Sequence, residues 1–455
     1  MLHRPDASHR AHLSVFDAVA ILVGIVVGIG IFRTPSLVAA HVESEVAFLG
    51  VWLLGGLVTL VGALCYAELS AAHPHSGGEY HFLSRAYGQP VAMMFGWART
   101  SVIQTGAIAG VAFVLGDYAA TLLPLGPYGG AIYAALTILV LTAVNIAGTF
   151  QSKWLQIAVT ALEIGIILAI IGFGFFSSTT IIPVPSAEPG TAALGLALVF
   201  VLLTYGGWNE ASYLAGEVKN ASRDIARVFL IGTVVLVTVY VSVNLALLMV
   251  LGLDGLRGSG VVAADMMRMV AGESGAKVVS LGILVAAVST LNATIFTGAR
   301  SASALARDVT WLAGMSQWSA QRQTPARALV LQAIISLALV CFGAATQDGF
   351  RAMVDYAAPV FWAFLFLTGL ALFVLRFREP DRTLPYKVPL YPATPILFCL
   401  SCLYMLHSSI AYTGTGALIG LAAVAVGAPI LLFRRRDAEA DDGAAGTAAE
   451  KTLSP

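Results

Sequence analysis

Gly24-Ile-Val-Val-Gly-Ile-Gly-Ile-Phe-Arg-Thr-Pro-Ser36 is the stretch whose residue types could hold a polar ligand. It lies inside a long apolar segment, about 14–40. Gly24, Gly28 and Gly30 each weaken a helix by about 1 kcal/mol relative to alanine. Their clustering predicts that the helix opens there. In hydrocarbon an opened turn survives only where protein or a water-filled cavity covers it. It leaves free N–H groups at the start of the second half-helix, suited to an anion, and free C=O groups at the end of the first, suited to a cation. A zwitterion matches both. The alternative is that the glycines only let two helices pack closely. A second interruption, Leu203-Thr-Tyr-Gly-Gly-Trp-Asn-Glu210, weighs against that alternative. Gly206 and Gly207 stand midway in another apolar run, about 191–216. Interrupted segments at matching positions in two halves point to a midplane binding site.

The elements that must position these residues follow from composition. The chain has 455 residues, 58% hydrophobic and 11% charged, with mean hydropathy +0.84. A soluble domain carries ~25% charged residues, so this is an all-α integral membrane protein. Apolar runs long enough to span a bilayer lie near 14–40, 47–71, 91–119, 128–147, 153–176, 192–216, 225–251, 277–305, 327–345, 352–376, 391–412 and 414–433. The interrupted first and sixth segments are five apart, which predicts a five-plus-five inverted repeat, about 14–176 and 191–376, with two added helices at 391–433. Lysine and arginine concentrate in alternate loops and in Arg434–Arg436. Both termini are therefore expected in the cytoplasm, as tails 1–13 and 434–455, the second disordered. The loop near 252–276 is mixed in charge. Net charge is zero, so nothing points to nucleic acid. Cys65, Cys341, Cys399 and Cys402 lie in apolar runs without disulfide or zinc spacing, and no cleaved signal peptide is evident.

At these residues the chain resembles the amino acid–polyamine–organocation superfamily, and within it the L-type amino acid transporter branch. The resemblance covers about 14–433 and rests on six motifs in order. They are Gly28-Ile-Gly-Ile-Phe32, Tyr66-Ala-Glu-Leu69 with Ser76-Gly-Gly-Glu-Tyr80, Tyr205-Gly-Gly-Trp-Asn209, Glu217-Val-Lys-Asn220, Asn292-Ala-Thr-Ile-Phe-Thr-Gly-Ala-Arg300 and Pro385-Tyr-Lys-Val-Pro389. It implies alternating access by secondary transport, with no cofactor. It implies that a substrate carboxylate meets the N–H groups of Ile29, Gly30 and Ile31, beside Gly28. The substrate ammonium meets the carbonyls of Val26, Leu203 and Gly206. Trp208 and Asn209 are expected beside that pocket, with plain packing the other reading for Trp208.

Departures from the family pattern carry further expectations. Leu203 stands where the branch usually has a gating phenylalanine, which predicts a preference for small or aliphatic amino acids. Glu163 falls where the family often has a lysine behind the first break. An ionisable residue at membrane depth is a functional hypothesis by default, and a carboxyl there could exchange a coupling proton. Arg99, at similar depth in the third segment, is the obvious partner for Glu163, since a pair offsets the desolvation of each charge. Ser289 could face an ion site, although a membrane serine more often bonds its own backbone. His73 and His75 form an H-x-H without further ligands, so no metal site is expected. Glu68 and Glu79 should position the loop between the second and third segments. Phe361 and Trp362 could line the pocket. Some L-type transporters are tied to a heavy chain through a cysteine between the third and fourth helices. Residues 120–130 contain none, so no disulfide-linked heavy chain is expected. The reading is a plasma-membrane permease for neutral amino acids, by proton coupling or exchange. A polyamine or cationic amino acid carrier would need a carboxylate such as Glu210. A non-transporting receptor is the rival of another class. No nucleophile–base set or metal motif suggests an enzyme.

Overall fold

The computed structural model describes residues 13–75, 77–148, 153–176, 194–317, 324–346 and 348–429. The 1–12 and 434–455 tails, Ser76 and the joint between the two repeats lie outside them. Among the described residues the chain is helical, with one isolated bridge between Leu13 and Val218. Ten helices are long and apolar enough to cross a membrane. Two shorter apolar helices, Val15–Val26 and Thr415–Val426, complete the twelve segments expected.

α1 (Val15–Val26) begins with a reciprocal cap: the Ser14 hydroxyl accepts from the Asp17 N–H and the Asp17 carboxylate accepts from the Ser14 N–H. Such a cap satisfies two donors that a helix start leaves open. The chain then runs extended through Gly28 and resumes as a tight turn, Ile29–Phe32, and α2 (Thr34–Ala39). α3 (Glu45–Ala72) follows. The third segment comprises α5 (Gln89–Ala98), a π-turn at Arg99–Ile103 and α6 (Gln104–Leu122). Ahead of it lies α4 (Gly78–Tyr87), a polar helix that hydropathy alone reads as loop. α7 (Gly129–Ala147) and α8 (Lys153–Phe176) match the fourth and fifth segments. The sixth is α9 (Leu194–Thr204), a break, the turn Trp208–Glu210 and α10 (Ala211–Leu214). At the break Gly207 has φ +102°, a conformation glycine adopts without steric cost. α11 (Ala221–Gly258) and α12 (Val262–Asp308) come next. Then follow α13 (Ala326–Ala344), α14 (Gly349–Arg378), α15 (Ala393–Thr413) and α16 (Thr415–Val426).

The loop expected at 252–276 contains short helical pieces: the chain leaves helical geometry at Gly252 (φ +65°), at Ser259–Val261 and at Gly272 (φ +69°), and is helical between them. Charged residues there, among them Asp254 and Arg257, pair within one turn rather than interrupting the helix.

The apolar side chains form two large clusters. One gathers α1, α2, α3, α8, α9, α11 and α15, and the other α5, α7 and α13 with α16 packed against it, while α4, α6, α12 and α14 contribute to both. Close helix approach depends on small residues, as is general in membranes. A Cβ on Gly116 of α6 would lie 2.1 Å from the Gly130 carbonyl oxygen of α7. Main chain cannot move aside as a flexible side chain can. Gly116→Ala is therefore expected to destabilise the fold by about 1–3 kcal/mol, read as a lower unfolding temperature in detergent. An unchanged transition would show that α6 and α7 do not pack this closely.

Candidate functional site

The two breaks face one cavity of about 330 Å³, a size typical of small-molecule sites. Val26, Gly28, Ile29 and Gly30 line it from the first break, and Leu203, Gly206, Gly207 and Asn209 from the second. The N–H groups of Ile29 and Gly30 open a new helical turn, where no preceding carbonyl of that turn can serve them. Ile31 N–H makes only a long 3.4 Å contact with the Gly28 oxygen. Two of the expected carbonyls already carry a donor: Val26 O accepts from Tyr240 OH at 2.6 Å, and Leu203 O from Gly206 N–H at 3.0 Å. A carbonyl has two lone pairs, so each keeps acceptor capacity. Thr34, Thr204, Gln104 and Thr290 add polar groups, while Phe95, Phe200, Phe350, Phe361 and Phe364 supply apolar surface. A Cβ on Gly30 would meet nothing nearer than Thr204 Cγ2, at 3.7 Å.

Near Thr34 and Phe350, at one end of the cavity, stands Arg33. Its Nη2 lies 2.5 Å from Asp348 Oδ2, and its Nε 4.0 Å from Asp117 Oδ2. Nη1 donates to the carbonyls of Ser259 and Gly260. The Tyr118 hydroxyl donates to Phe32 O and accepts from Ala263 N–H. These bonds tie α2 to α6, to α14 and to the turn before α12.

The opposite end carries Arg99, Glu210 and Glu79. Arg99 Nη2 donates to both Glu210 carboxylate oxygens at 2.9 and 3.0 Å, and Nη1 to Tyr213 OH at 3.2 Å. Glu79 lies 3.9 Å from Arg99 and accepts from Tyr66 OH at 2.6 Å. The Glu210 side chain is 30% exposed and that of Arg99 16%, while at the other end Arg33 is 12%, Asp348 22% and Asp117 36% exposed. The expected Arg99–Glu163 pairing is corrected here. Arg99 sits at the start of the π-turn, and its guanidinium points across the cavity to the sixth segment, where Glu210 offers a bidentate partner.

Glu163 lies behind the first break instead. Thr160, one turn earlier on α8, sits 3.5 Å from where a Cβ on Gly24 would be. Glu163 is 5% exposed and close to Tyr240. Its Oε1 has no hydrogen-bond partner among the described residues. A buried unpartnered carboxylate oxygen is costly.

Trp208 also departs from expectation. Its ring packs into an aromatic group, 4.9 Å from Tyr66, 6.5 Å from Phe229 and 6.2 Å from Phe398, and it does not line the cavity. It opens a turn with about three residues per revolution, so it and Asn209 cannot face the same way, and Asn209 takes the cavity side. Trp362 is buried off the cavity while its neighbour Phe361 lines it. Ser289 is half-buried, and Thr290 beside it reaches the cavity. Glu68 binds Arg376 through two 2.6 Å contacts and accepts from Val388 N–H, tying α3 to α14 as a positioning residue would. Glu79 both positions α4 and lines the cavity. His75 stacks on His81 at 4.3 Å and His73 lies 3.8 Å from Glu379. No group of metal-ligating side chains occurs among the described residues. Sequence reasoning missed Thr34, Gln104, Thr204 and Thr290. A signal was present for the last: Thr290, Thr294, Thr297 and Ser301 recur at helical spacing on α12, and Gln104 donates to Thr294 O and Thr297 Oγ1.

The sequence profile of the amino acid permease family matches residues 13–426. The serine/threonine exchanger SteT of Bacillus subtilis is 28% identical over 433 residues, covering 93% of this chain and 98% of its own. The b(0,+)-type amino acid transporter 1 of Mus musculus is 29% identical, over 89% of this chain and 83% of its own. The large neutral amino acids transporter small subunit 2 of Homo sapiens is 28% identical, over 92% and 80%.

The Arg33 cluster is a latch whose removal should be visible. Asp348→Asn takes away the nearest partner of a buried cation, a loss that costs about 3–5 kcal/mol when uncompensated. In that background a cysteine at Thr34, which is 2% exposed, is expected to react several-fold faster with a membrane-impermeant maleimide. Equal rates with and without the Asp348 change would show that the latch does not hold this end shut.

Proposed function

Because the chain belongs to the amino acid permease family, we propose that this amino acid transporter carries neutral, small or aliphatic substrates across the plasma membrane by alternating access. The cavity shared by the two helix breaks carries this reading. In it the substrate carboxylate binds the N–H groups of Ile29, Gly30 and Ile31, and the ammonium binds the oxygens of Val26, Leu203 and Gly206. Those contacts grip what all amino acids share. Leu203 leaves the side-chain end without an aromatic gate, which favours aliphatic over aromatic substrates. Glu210 is the carboxylate that a cationic or polyamine substrate would need, and its bond to Arg99 argues against that alternative.

Both termini face the cytoplasm, so Arg33 closes the outer end and Glu210 marks the inner mouth. Glu163 is the coupling group. It sits behind the first break, with one oxygen lacking a protein partner, and a proton taken up there changes the charge beside the Val26 carbonyl and its Tyr240 donor. Ser289 lies on the neighbouring helix as a minor candidate for ion contact. The chain works without a disulfide-linked heavy chain. Its four cysteines are free and none lies between residues 120 and 130.

Uptake into proteoliposomes, with and without an imposed pH gradient, tests both parts. Alanine and leucine are expected to accumulate and to outcompete phenylalanine, arginine and putrescine. Dominance of phenylalanine would reverse the role given to Leu203, and specific binding without uptake would favour a receptor. Glu163→Gln is expected to abolish the response to the gradient while substrate exchange persists. A full gradient response in that variant would remove Glu163 from coupling.

A further inference from the structure

The cavity wall carries an ion pair for which backbone recognition of a zwitterion has no use. Arg99 and Glu210 both line the cavity. Their side chains remain 16% and 30% exposed, whereas Glu79 behind them is at 5%. Tyr66 donates to one Glu79 oxygen and Tyr213 to the other, at 2.6 and 3.4 Å, so Glu79 is held from the far side. Tyr213 also accepts from Arg99 Nη1, and its ring centre lies 4.9 Å from the guanidinium carbon. The geometry fixes Arg99 against Glu210, and the surface an entering side chain meets is this ion pair, with a second carboxylate, Glu79, 3.9 Å from the guanidinium.

We propose that Arg99 and Glu210 form a charge filter: paired, they restrict the cavity to amino acids with uncharged side chains. The proposal deepens the transport reading and rests on it. The physical basis is that selectivity is a difference between affinities and is often built from repulsion or unpaired charge against the wrong ligand. A lysine or arginine side chain reaching this wall must part Glu210 from Arg99 and leave the guanidinium only Tyr213 and the more distant Glu79, at 3.9 Å. A glutamate must do the reverse. Removing one partner of a buried pair is costly mainly because the other charge is left alone. An uncharged side chain disturbs neither. The pair also joins the third segment at its π-turn to the turn just past the second break, so the filter sits three residues from Gly207.

Removing one member should leave a survivor that recruits the opposite charge. Arg99→Gln exposes Glu210 and is expected to raise the ratio of lysine to leucine affinity by about tenfold or more, equivalent to ~1.4 kcal/mol. Glu210→Gln frees the Arg99 nitrogen that faces the cavity and is expected to raise the glutamate-to-leucine ratio, less strongly because Glu79 remains 3.9 Å away. The double variant Arg99→Gln/Glu210→Gln should return toward the uncharged preference, a non-additivity expected of residues in contact. Alanine, leucine, lysine and glutamate are titrated against each purified protein, with thermal stabilisation reporting binding and proteoliposome uptake reporting transport. Variants that bind leucine but keep the parental charge preference overturn the filter. So does a parent protein that takes lysine or glutamate as readily as leucine. A parent that binds no amino acid overturns the transport reading instead. Should Arg99→Gln not be recovered folded, the Glu210→Gln arm decides alone.

Discussion

Main-chain N–H and C=O groups cannot be left bare in hydrocarbon, and the architecture of this protein answers to that constraint. The uninterrupted segments satisfy it by staying helical over lengths that can cross a bilayer. The first and sixth segments break it at Gly28 and at Gly206–Gly207, and each break is then covered by other elements. Tyr240 reaches across from α11 to the Val26 oxygen. Leu203 O turns back on Gly206 N–H. Two apolar clusters close around the cavity that remains. A polar site at this depth exists only because the surrounding helices exclude lipid from it.

Charge is placed with the same economy. Arg33 with Asp348 and Asp117 stands at one end of the cavity, and Arg99 with Glu210 and Glu79 at the other. A third pair, Glu68 with Arg376, ties α3 to α14. Each set links elements from different parts of the chain, so each can hold one arrangement of helices and release another. Buried pairs add little net stability but resist the loss of either member, which suits a latch better than a rivet. Glu163 differs from all of them. It is buried close to Tyr240, the donor to the Val26 oxygen, and one of its oxygens lacks a partner among the described residues.

The relatives share about 28–29% identity with the chain over most of its length, and amino acid transport is common to them and to this protein. What differs within such a family is read from side chains at the far end of the cavity. Here the cavity is lined by the Leu203 side chain, the phenylalanines of α5, α9 and α14, and the Arg99–Glu210 pair.

Glycine spacing and hydropathy were enough to place both breaks and the twelve segments, because helix propensity and the absence of water in the bilayer act locally along the chain. The same signals left the short helical pieces within 252–276 unread, where the chain turns at Gly252, Ser259–Val261 and Gly272, and passed over α4, whose polar residues carry no spanning signal. Pairings lay beyond them. Depth counted from the helix ends made Glu163 the natural partner of Arg99, but depth says nothing about rotation around the helix axis. The π-turn at Arg99–Ile103 and the single turn at Trp208–Glu210 set those rotations. They bring Glu210 to Arg99 and turn Trp208 away from the cavity. The sequence alone determined where the main chain would open; which side chains face those openings was decided by packing between helices distant in the chain.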